Sequence, residues 1–326
     1  MPQFETIQDR TIVITGGAGF IGSHLAEKCL ELGARVIVID NLSSGSWKNL
    51  AHLDSQELVK IEADANIVPP ELIHEKPFAV LHFASLAGPP LYRRFPEATY
   101  KINSFGTDAW LQWIKQKSPN TRFLFASTSE VYGDPQVSPQ PESYWGNVNP
   151  NGARACYDES KRFGEMVCGV FHRLHKLDTR IVRIFNTYGP RMNTIDGRVL
   201  PAFILAGLKN QPLLIHGTGE QTRSFCYVSD LVSGILKLLT VEHGAGLTIN
   251  LGNPDERTIS QVAGMIQKLL QVSEIQHVEK AEDDPSNRKP EISKANTLLD
   301  WTPKIPFDEG LNATITYFRD HLVNQA

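Results

Sequence analysis

The chain has 326 residues, a formal net charge of −4, 41% apolar residues and 21% charged ones. That length suits one large domain or two joined ones, with an ordinary soluble composition. The composition excludes the basic stripe that a nucleic-acid surface needs, and no apolar run approaches the ~20 residues of a membrane span.

The opening "MPQFETIQDR" has neither a basic start nor a greasy core, so no secretory leader is expected. The first predicted strand is "TIVITGG". It is followed by a helix over "SHLAEKCLELG" and a second strand, "ARVIVIDN". Further β-rich runs are "FAVLHFAS", "TRFLFASTS" and "TRIVRIFN". Helical stretches lie around "GTDAWLQWIKQ" and over "YDESKRFGEMVCGVFHRLHKL". Strands spaced by helices in this way predict βαβ units and an α/β fold with a doubly wound, mostly parallel sheet of the Rossmann type. The runs are apolar at consecutive positions, as strands covered on both faces must be.

Between the first strand and first helix, "TGGAGFIG" places Gly16, Gly19 and Gly22. Glycines there let the backbone approach a pyrophosphate, and the N–H groups of the helix start face its charge. Asp40 ends the second strand. It can accept hydrogen bonds from both adenosine ribose hydroxyls and would repel a 2'-phosphate, so NAD is expected rather than NADP. Asp64, in "EADA", is placed to reach adenine or to cap a loop. His82 reads as a core or backbone-bonded histidine. Ala84 and Ser85 follow a strand end and so face the ligand crevice.

Thr128, Ser129 and Glu130 leave the carboxyl end of another strand, a second polar group at the crevice. Tyr157 and Lys161 are four residues apart near the start of the next helix, and so share a face. A phenol titrates near 10, too high for an efficient base at neutrality. Lowering it by ~3 units takes about 4 kcal/mol. A cation about 4 Å away contributes about that much at an effective dielectric of 20. Lys161, helped by a positive nicotinamide ring, would supply this, and Thr128 would bridge the phenol to a sugar hydroxyl. The chemistry that follows is reversible oxidation of a secondary alcohol.

From Asn186 the alternation weakens. "NTYGPRMNTIDGR" is turn-rich, and "VLPAFILAGLKNQ" is helical with Pro201 tolerated in its first turn. "PLLIHGTGEQTRSFCYVSD" gives short strands around glycine turns before a helix with Asp230 as its N-cap. "GLTINLG" returns a strand to the main sheet, and the remainder is largely helical. The predicted organisation is a nucleotide-binding domain over residues 1–185 with returning segments at about 225–252, and a smaller discontinuous domain from 186–224 and 253–326. Cys168, His172 and His175 share a helix face and are zinc-type donors. One helix supplies only those three and already has a packing role, so no metal is expected. The four cysteines form no CxxC, and a reducing cytosol is the expected setting.

The segments "TGGAGFIG", "STSEVYG" and "YDESK" resemble the extended short-chain dehydrogenase/reductase family. Later segments extend the likeness over almost the whole chain. "RIFNTYGPRM", "DGRVLPAFI", "GEQTRSFCYVSD", "NLGNP", "EDDPSNRKPEISKA" and above all "PQPESYWGNVNPNGARACYDE" are similar to the UDP-glucuronate decarboxylases, or UDP-xylose synthases. The resemblance implies a tightly bound, recycled NAD, a UDP-sugar substrate and a homodimer built on the Tyr157 helix and the helix around Trp110. It implies cofactor contacts from Phe20, Ile21, Asn41, Ser43, Gly45, Ala65, Leu81 and Asn103, beside those named above. Pro89, Tyr92, Asn186, Arg191, Val199, Phe203, Arg223, Tyr227 and Arg288 are implied at the UDP-sugar. Tyr157 would be the base for the C4 hydroxyl, with Lys161 tuning it. Glu130 would lie near C5, C6 or a water, Ser129 beside the carboxylate, and Arg288 on the sugar or its acid.

Dehydratases of this family usually carry Thr-Asp-Glu where this chain has Thr128-Ser129-Glu130, so the acid for dehydration is missing. "ASLAGPPLY" departs from the subgroup at Leu86 and Gly88, and "YDESK" has Ser160 in place of the common Gly. The expected reaction is C4 oxidation, loss of carbon dioxide from the 4-keto acid and re-reduction. A UDP-glucuronate 4-epimerase and a catalytically silent NAD-binding module are the alternatives.

Overall fold

The computed structural model describes residues 2–194, 196–272, 274–279 and 287–323, with residues 322 and 323 described by backbone alone. Ile195 and the first residues of "EDDPSNRKPEISKA", 282–286, lie outside the described residues.

In chain order, β1 (Thr11–Thr15), α1 (Phe20–Glu31), β2 (Arg35–Asp40), β3 (Leu58–Glu62) and β4 (Ala79–His82) open the fold. Next come α2 (Pro89–Arg94), α3 (Pro96–Lys101), a π-helical turn (Ile102–Gly106), α4 (Thr107–Lys117) and β5 (Arg122–Thr128). The long α5 (Ala155–His175) leads to β6 (Thr179–Ile184), β7 (Thr187–Tyr188) and α6 (Val199–Leu208). Then follow β8 (Leu213–His216), β9 (Thr222–Ser224), β10 (Cys226–Tyr227), α7 (Val228–Thr240) and β11 (Thr248–Leu251). β12 (Glu256–Thr258), α8 (Ile259–Leu270), β13 (Ile275–Val278), α9 (Ser293–Leu299) and α10 (Phe307–Val323) close the chain.

Seven strands form one parallel sheet in the order β11-β6-β5-β4-β1-β2-β3. Alternate residues of each strand serve opposite layers. Ile12, Ile14, Val36, Val38 and Leu124 pack against α1 and α7, while Val13, Ile37, Ile39, Phe123 and Phe125 pack against α4 and α5. That double burial explains why the strands read as unbroken apolar runs. The strand order reverses between β1 and β4. The carboxyl ends there part to leave the crevice in which open α/β sheets take their ligands.

A third core, with Phe203, Ile204, Leu213, Ile215, Val262, Ile266, Leu311 and Phe318, joins α6, α8 and α10 over the small sheets β8–β13 and β9–β12. β11 does return to the main sheet, beside β6, as "GLTINLG" predicts. Asp230 differs from its predicted capping role. It lies inside the first turn of α7, and its carboxylate accepts the backbone N–H groups of Lys304 and Ile305, both at 2.8 Å. It ties the entry to α10 rather than starting its own helix. His82 is a core residue, 1% exposed, 2.9 Å from the Thr15 hydroxyl.

Candidate active site

A continuous cleft of about 1240 Å³ runs along the carboxyl ends of the sheet and under the third core. At one end lies the glycine turn. A Cβ on Gly22 would sit 2.2 Å from the Gly16 carbonyl oxygen, and one on Gly16 would sit 2.6 Å from the Ala84 nitrogen. Only glycine lets α1 start this close to β1 and β4, and its first N–H groups open into the cleft with no acidic side chain in that turn. Asp40 accepts from Leu42 N (2.8 Å) and Ala18 N (3.0 Å), one on each oxygen. Each oxygen keeps a lone pair for a ribose hydroxyl. Burial raises the proton affinity of Asp40, and those two N–H groups oppose the rise. This cradle fits an adenine dinucleotide.

Gly19, Phe20, Ile21, Asn41, Ser43, Asp64, Ala65, Ala84 and Ser85 line the same end. Three residues assigned to the cofactor do not. Leu81 is fully buried in β4. Gly45 packs behind Asp40 and Ala18, where a Cβ would be 2.9 Å from the Ala18 carbonyl carbon. Asn103 turns into the protein and donates to the Ser160 hydroxyl at 3.0 Å. Ser160 in turn donates to Cys156 O at 2.6 Å, so the serine in "YDESK" joins α5 to the π turn.

At the middle of the cleft, Tyr157 is buried and its ring stacks on Tyr92, centroids 5.3 Å apart and 9° from parallel. Lys161 donates to Ala126 O at 2.7 Å and stands 5.9 Å from the Tyr157 ring centre. The protein's own groups do not lower the phenol, and the expected lowering also calls on the positive nicotinamide ring. Burial pushes Tyr157 up, against a hydrogen bond with Thr128, and burial pulls Lys161 down to about 7. The ammonium is spent on a carbonyl, and desolvation outweighs it.

On the sugar side, Glu130 anchors a cluster of charge. Its Oε2 accepts from Arg154 and, at 3.1 Å, from Nη2 of Arg288. Burial works against ionisation, but Arg288, Arg154 and Arg223 outweigh it and bring Glu130 down to about 2. Arg288 is not on the cleft wall itself. It is 1% exposed behind Glu130, with Nε and Nη1 unpartnered among the described residues. Gln140, fully buried, holds its segment by exchanging backbone and side-chain bonds of 2.8 Å with Lys289.

Pro89, Tyr92, Ser129, Asn186, Val199, Phe203 and Arg223 line the cleft. Arg191 lines the cleft but is ion-paired to Glu27 of α1, with His52 at 3.3 Å, away from the Glu130 cluster. Tyr227 is placed in the third core, 5.6 Å from the Tyr188 ring, and is not on the wall. Arg154, Asp158, Asp196, Arg198 and Gln140 escaped the sequence reading. Arg154 had a signal, a cation three residues ahead of Tyr157 in "GARACYDE". Arg198, fixed by Asp196 at 2.7 Å, sits in "DGRV", and its charge is felt at Tyr157. Gln140 has no local signal. On the α5 face once weighed for metal, Cys168 is buried, His172 bonds Leu177 O at 3.0 Å and His175 packs on Phe171 at 5.3 Å.

A dinucleotide cradle, a Tyr-Lys pair and a polar second site along one sheet edge define a nucleotide-sugar enzyme of the short-chain dehydrogenase/reductase type. The chain belongs to the NAD dependent epimerase/dehydratase family, whose model matches residues 12–252. It is 46% identical to UDP-glucuronic acid decarboxylase 1 of Xenopus tropicalis, over 99% of this chain and 76% of that protein. It is 47% identical to UDP-glucuronic acid decarboxylase 3 of Arabidopsis thaliana, over 92% and 86%. Among solved structures, UDP-glucuronic acid 4-epimerase from Bacillus cereus, in complex with UDP-glucuronic acid and NAD, superposes with a TM-score of 0.87 at 27% identity, covering 95% of this chain and 99% of that one.

Proposed function

We propose that this chain is an NAD-dependent UDP-glucuronate decarboxylase that forms UDP-xylose and carbon dioxide. Identity of 46% and 47% over nearly all of this chain to decarboxylases from an animal and a plant supports the activity. The structural observation that carries it is the cationic cluster at the cleft, with Arg154 and Arg223 on its wall around an ionised Glu130. Guanidinium groups on a cleft wall suit a sugar carboxylate.

The Gly16–Gly22 turn and Asp40 would hold NAD, which when bound supplies hydride acceptance and return at C4. Tyr157 takes the C4 hydroxyl proton, with Thr128 as its hydrogen-bond partner. The resulting ketone lies β to the C6 carboxylate. The C5–C6 bond then breaks, its electron pair passes into the ketone as an enolate, and carbon dioxide leaves. Arg288 and Arg223 supply positive charge near the departing acid. Too firm a grip on the acid would slow its departure, so differential binding is the requirement. Glu130, held as an anion, orients a water that gives its proton to C5, and the hydroxide left is neutralised by a proton from solvent. Tyr157 returns its proton to O4 as C4 is reduced.

The test is product identification by mass and NMR with UDP-glucuronate labelled at C6. Labelled carbon dioxide and UDP-xylose are expected. Retention of the label with formation of UDP-galacturonate would replace the reading with the 4-epimerase.

Homodimerisation is part of the proposal. Tyr100, Phe105, Phe163, Met166 and Leu174 leave exposed apolar surface on α3, the π turn and α5. Such a patch is a candidate contact for a second copy. Trp110 does not belong to it, being fully buried with its indole N–H on Ala65 O at 2.9 Å. We also place the enzyme in the cytosol, where the four cysteines, unpaired here, stay thiols. No helix among the described residues is long and apolar enough to cross a membrane.

A further inference from the structure

Two loops on the cleft wall meet each other. One is the "ASLAGPPLY" stretch, which departs from the decarboxylase pattern at Gly88 and leads into α2. The other holds Asp196, Gly197 and Arg198 and leads into α6. A Cβ on Gly88 would lie 2.8 Å from the Asp196 carbonyl oxygen and 3.3 Å from Asp196 Oδ2. A Cβ on Gly197, at φ +80°, would lie 2.5 Å from Pro90 Cγ. Glycine on both sides is what lets the loops come this close. Asp196 is buried at the seam, and its carboxylate accepts Nε and, at 2.7 Å, Nη2 of Arg198 as a fork. The fork fixes one edge of the guanidinium and leaves Nη1 outside it. The Arg198 side chain lines the cleft and is 31% exposed there.

Both loops bear on Tyr157. The first continues into α2, whose Tyr92 ring stacks on the Tyr157 ring. The second acts by charge, since Arg198 and an ionised Tyr157 stabilise one another. Burial, Glu130 and Asp158 work against the phenolate, and the Thr128 hydrogen bond and Arg198 work for it. Lys161 stands 5.9 Å from the ring centre and is held by the Ala126 carbonyl. We propose that Arg198 is a positioning residue whose guanidinium, aimed by Asp196 and by the close approach at Gly88, holds Tyr157 ready as the base for the C4 hydroxyl. The inference rests on Tyr157 as that base in the reading above and adds to it a second cation, from the substrate side of the cleft. A side chain at position 88 would push Asp196 away and carry the fork with it.

The phenolate oxygen accepts the C4 hydroxyl proton as hydride leaves C4. A cation facing that oxygen favours its ionised form, and without the cation the phenol stays protonated to higher pH. The loss therefore falls on rate and is recovered by raising pH. An arginine that served only to grip the substrate would raise KM and leave the pH dependence of kcat where it is.

The experiment records kcat and KM for UDP-glucuronate against pH with NAD-loaded enzyme. The variants are Arg198→Met, Arg198→Lys, Gly88→Ala and the double variant Gly88→Ala/Arg198→Met. Arg198→Met is expected to move the rising limb of kcat up by about one pH unit, the scale of one opposite charge nearby. On that limb kcat should fall about tenfold, and above it the wild-type rate should return. Arg198→Lys keeps the charge and should reverse most of the shift. Gly88→Ala should give a smaller shift in the same direction, and in the double variant it should add nothing, since no cation remains to be moved. A raised KM with an unmoved limb, or additive shifts in the double variant, would overturn the proposal. Gly88→Ala keeps it testable should Arg198→Met fail to fold. Tyrosinate absorbance of NAD-loaded enzyme, taken as the difference from Tyr157→Phe, follows the same titration without substrate. It should shift upward in Arg198→Met, and an unmoved titration would also overturn the proposal. Carbon dioxide release by the wild type is scored separately. Its absence would remove the decarboxylase reading, whereas the tyrosinate titration would still decide the role of Arg198.

Discussion

On the cofactor side of the cleft, Gly16, Gly19, Gly22 and Asp40 come from a single β1-α1-β2 unit. On the sugar side, Tyr92, Glu130, Arg154, Arg223 and Arg288 come from separate segments that meet around one carboxylate. The first half is held by backbone geometry, in which a Cβ has no room. The second is held by ion pairs among side chains, with several polar atoms left unpartnered among the described residues. A backbone cradle can be specified by a short run of residues, whereas an ion cluster needs the whole fold to bring its members together. It follows that damage to one side should leave the other largely working.

The largest expected effect tests that separation at the centre. Tyr157→Phe should cut turnover of UDP-glucuronate by about 10²–10⁴-fold, the usual share of a general acid–base group. Bound NAD, measured after denaturation and extraction, should stay at the wild-type level. Full turnover in this variant would remove Tyr157 from its role.

Next comes the sugar side. Arg288→Gln leaves Glu130 buried with less positive charge around it, and breaking one partner of such a pair costs about 2–5 kcal/mol. Loss should appear in binding of UDP-glucuronate and in melting temperature, with NAD content unchanged. NAD loss equal to the sugar loss would mean that the two sides are not independent.

The cofactor side is tested by Gly22→Ala. Its methyl group meets the Gly16 carbonyl oxygen, which is backbone and cannot swing aside. Overpacking of this kind costs about 1–3 kcal/mol. It should show first as loss of copurified NAD and a lower melting temperature. Unchanged NAD retention would contradict the cradle as drawn.

The same contrast governs what the sequence discloses. The glycine turn, Asp40, the sheet and the Tyr157–Lys161 pair are local patterns, and they were legible because each is set by neighbours in the chain. Tyr227 and Leu81 were assigned by resemblance, and their side chains pack in the third core and in β4. Arg191 was grouped with Arg223 and Arg288 by resemblance; it lines the cleft and is ion-paired to Glu27 on α1. Arg154 went unread because its partners, Glu130 and Asp158, lie respectively in another segment and one turn along its own helix. The lowering expected at Tyr157 calls on the nicotinamide cation as well as the ammonium, and the sequence did not show that burial and the Ala126 carbonyl hold Lys161. Spacing reveals a face, but not the desolvation that a side chain meets there.

The smallest effect sets the two sides against each other in pH. His82, beside Thr15 on the cofactor side, is drawn down to about 3 by burial and then by Lys161. The unfolded chain therefore binds that proton more tightly, and stability is lost as pH falls from about 6.5 toward the folded value. Asp158 on the sugar side runs the other way. Burial and then Glu130 push it up to about 7 from 3.8, with Arg154 and Arg288 opposing and Glu159 adding to the rise. Tyr92 and Cys156 also face it. Here the folded state holds the proton more tightly, so this contribution falls as pH rises between those values and is constant above them. Asp158→Asn removes only the second titration. Urea unfolding at about pH 5 and about pH 8 should show the variant gaining on the wild type by about 1.4 kcal/mol or more, one pKa unit's worth. Parallel curves for the two proteins would place Asp158 outside the charge cluster.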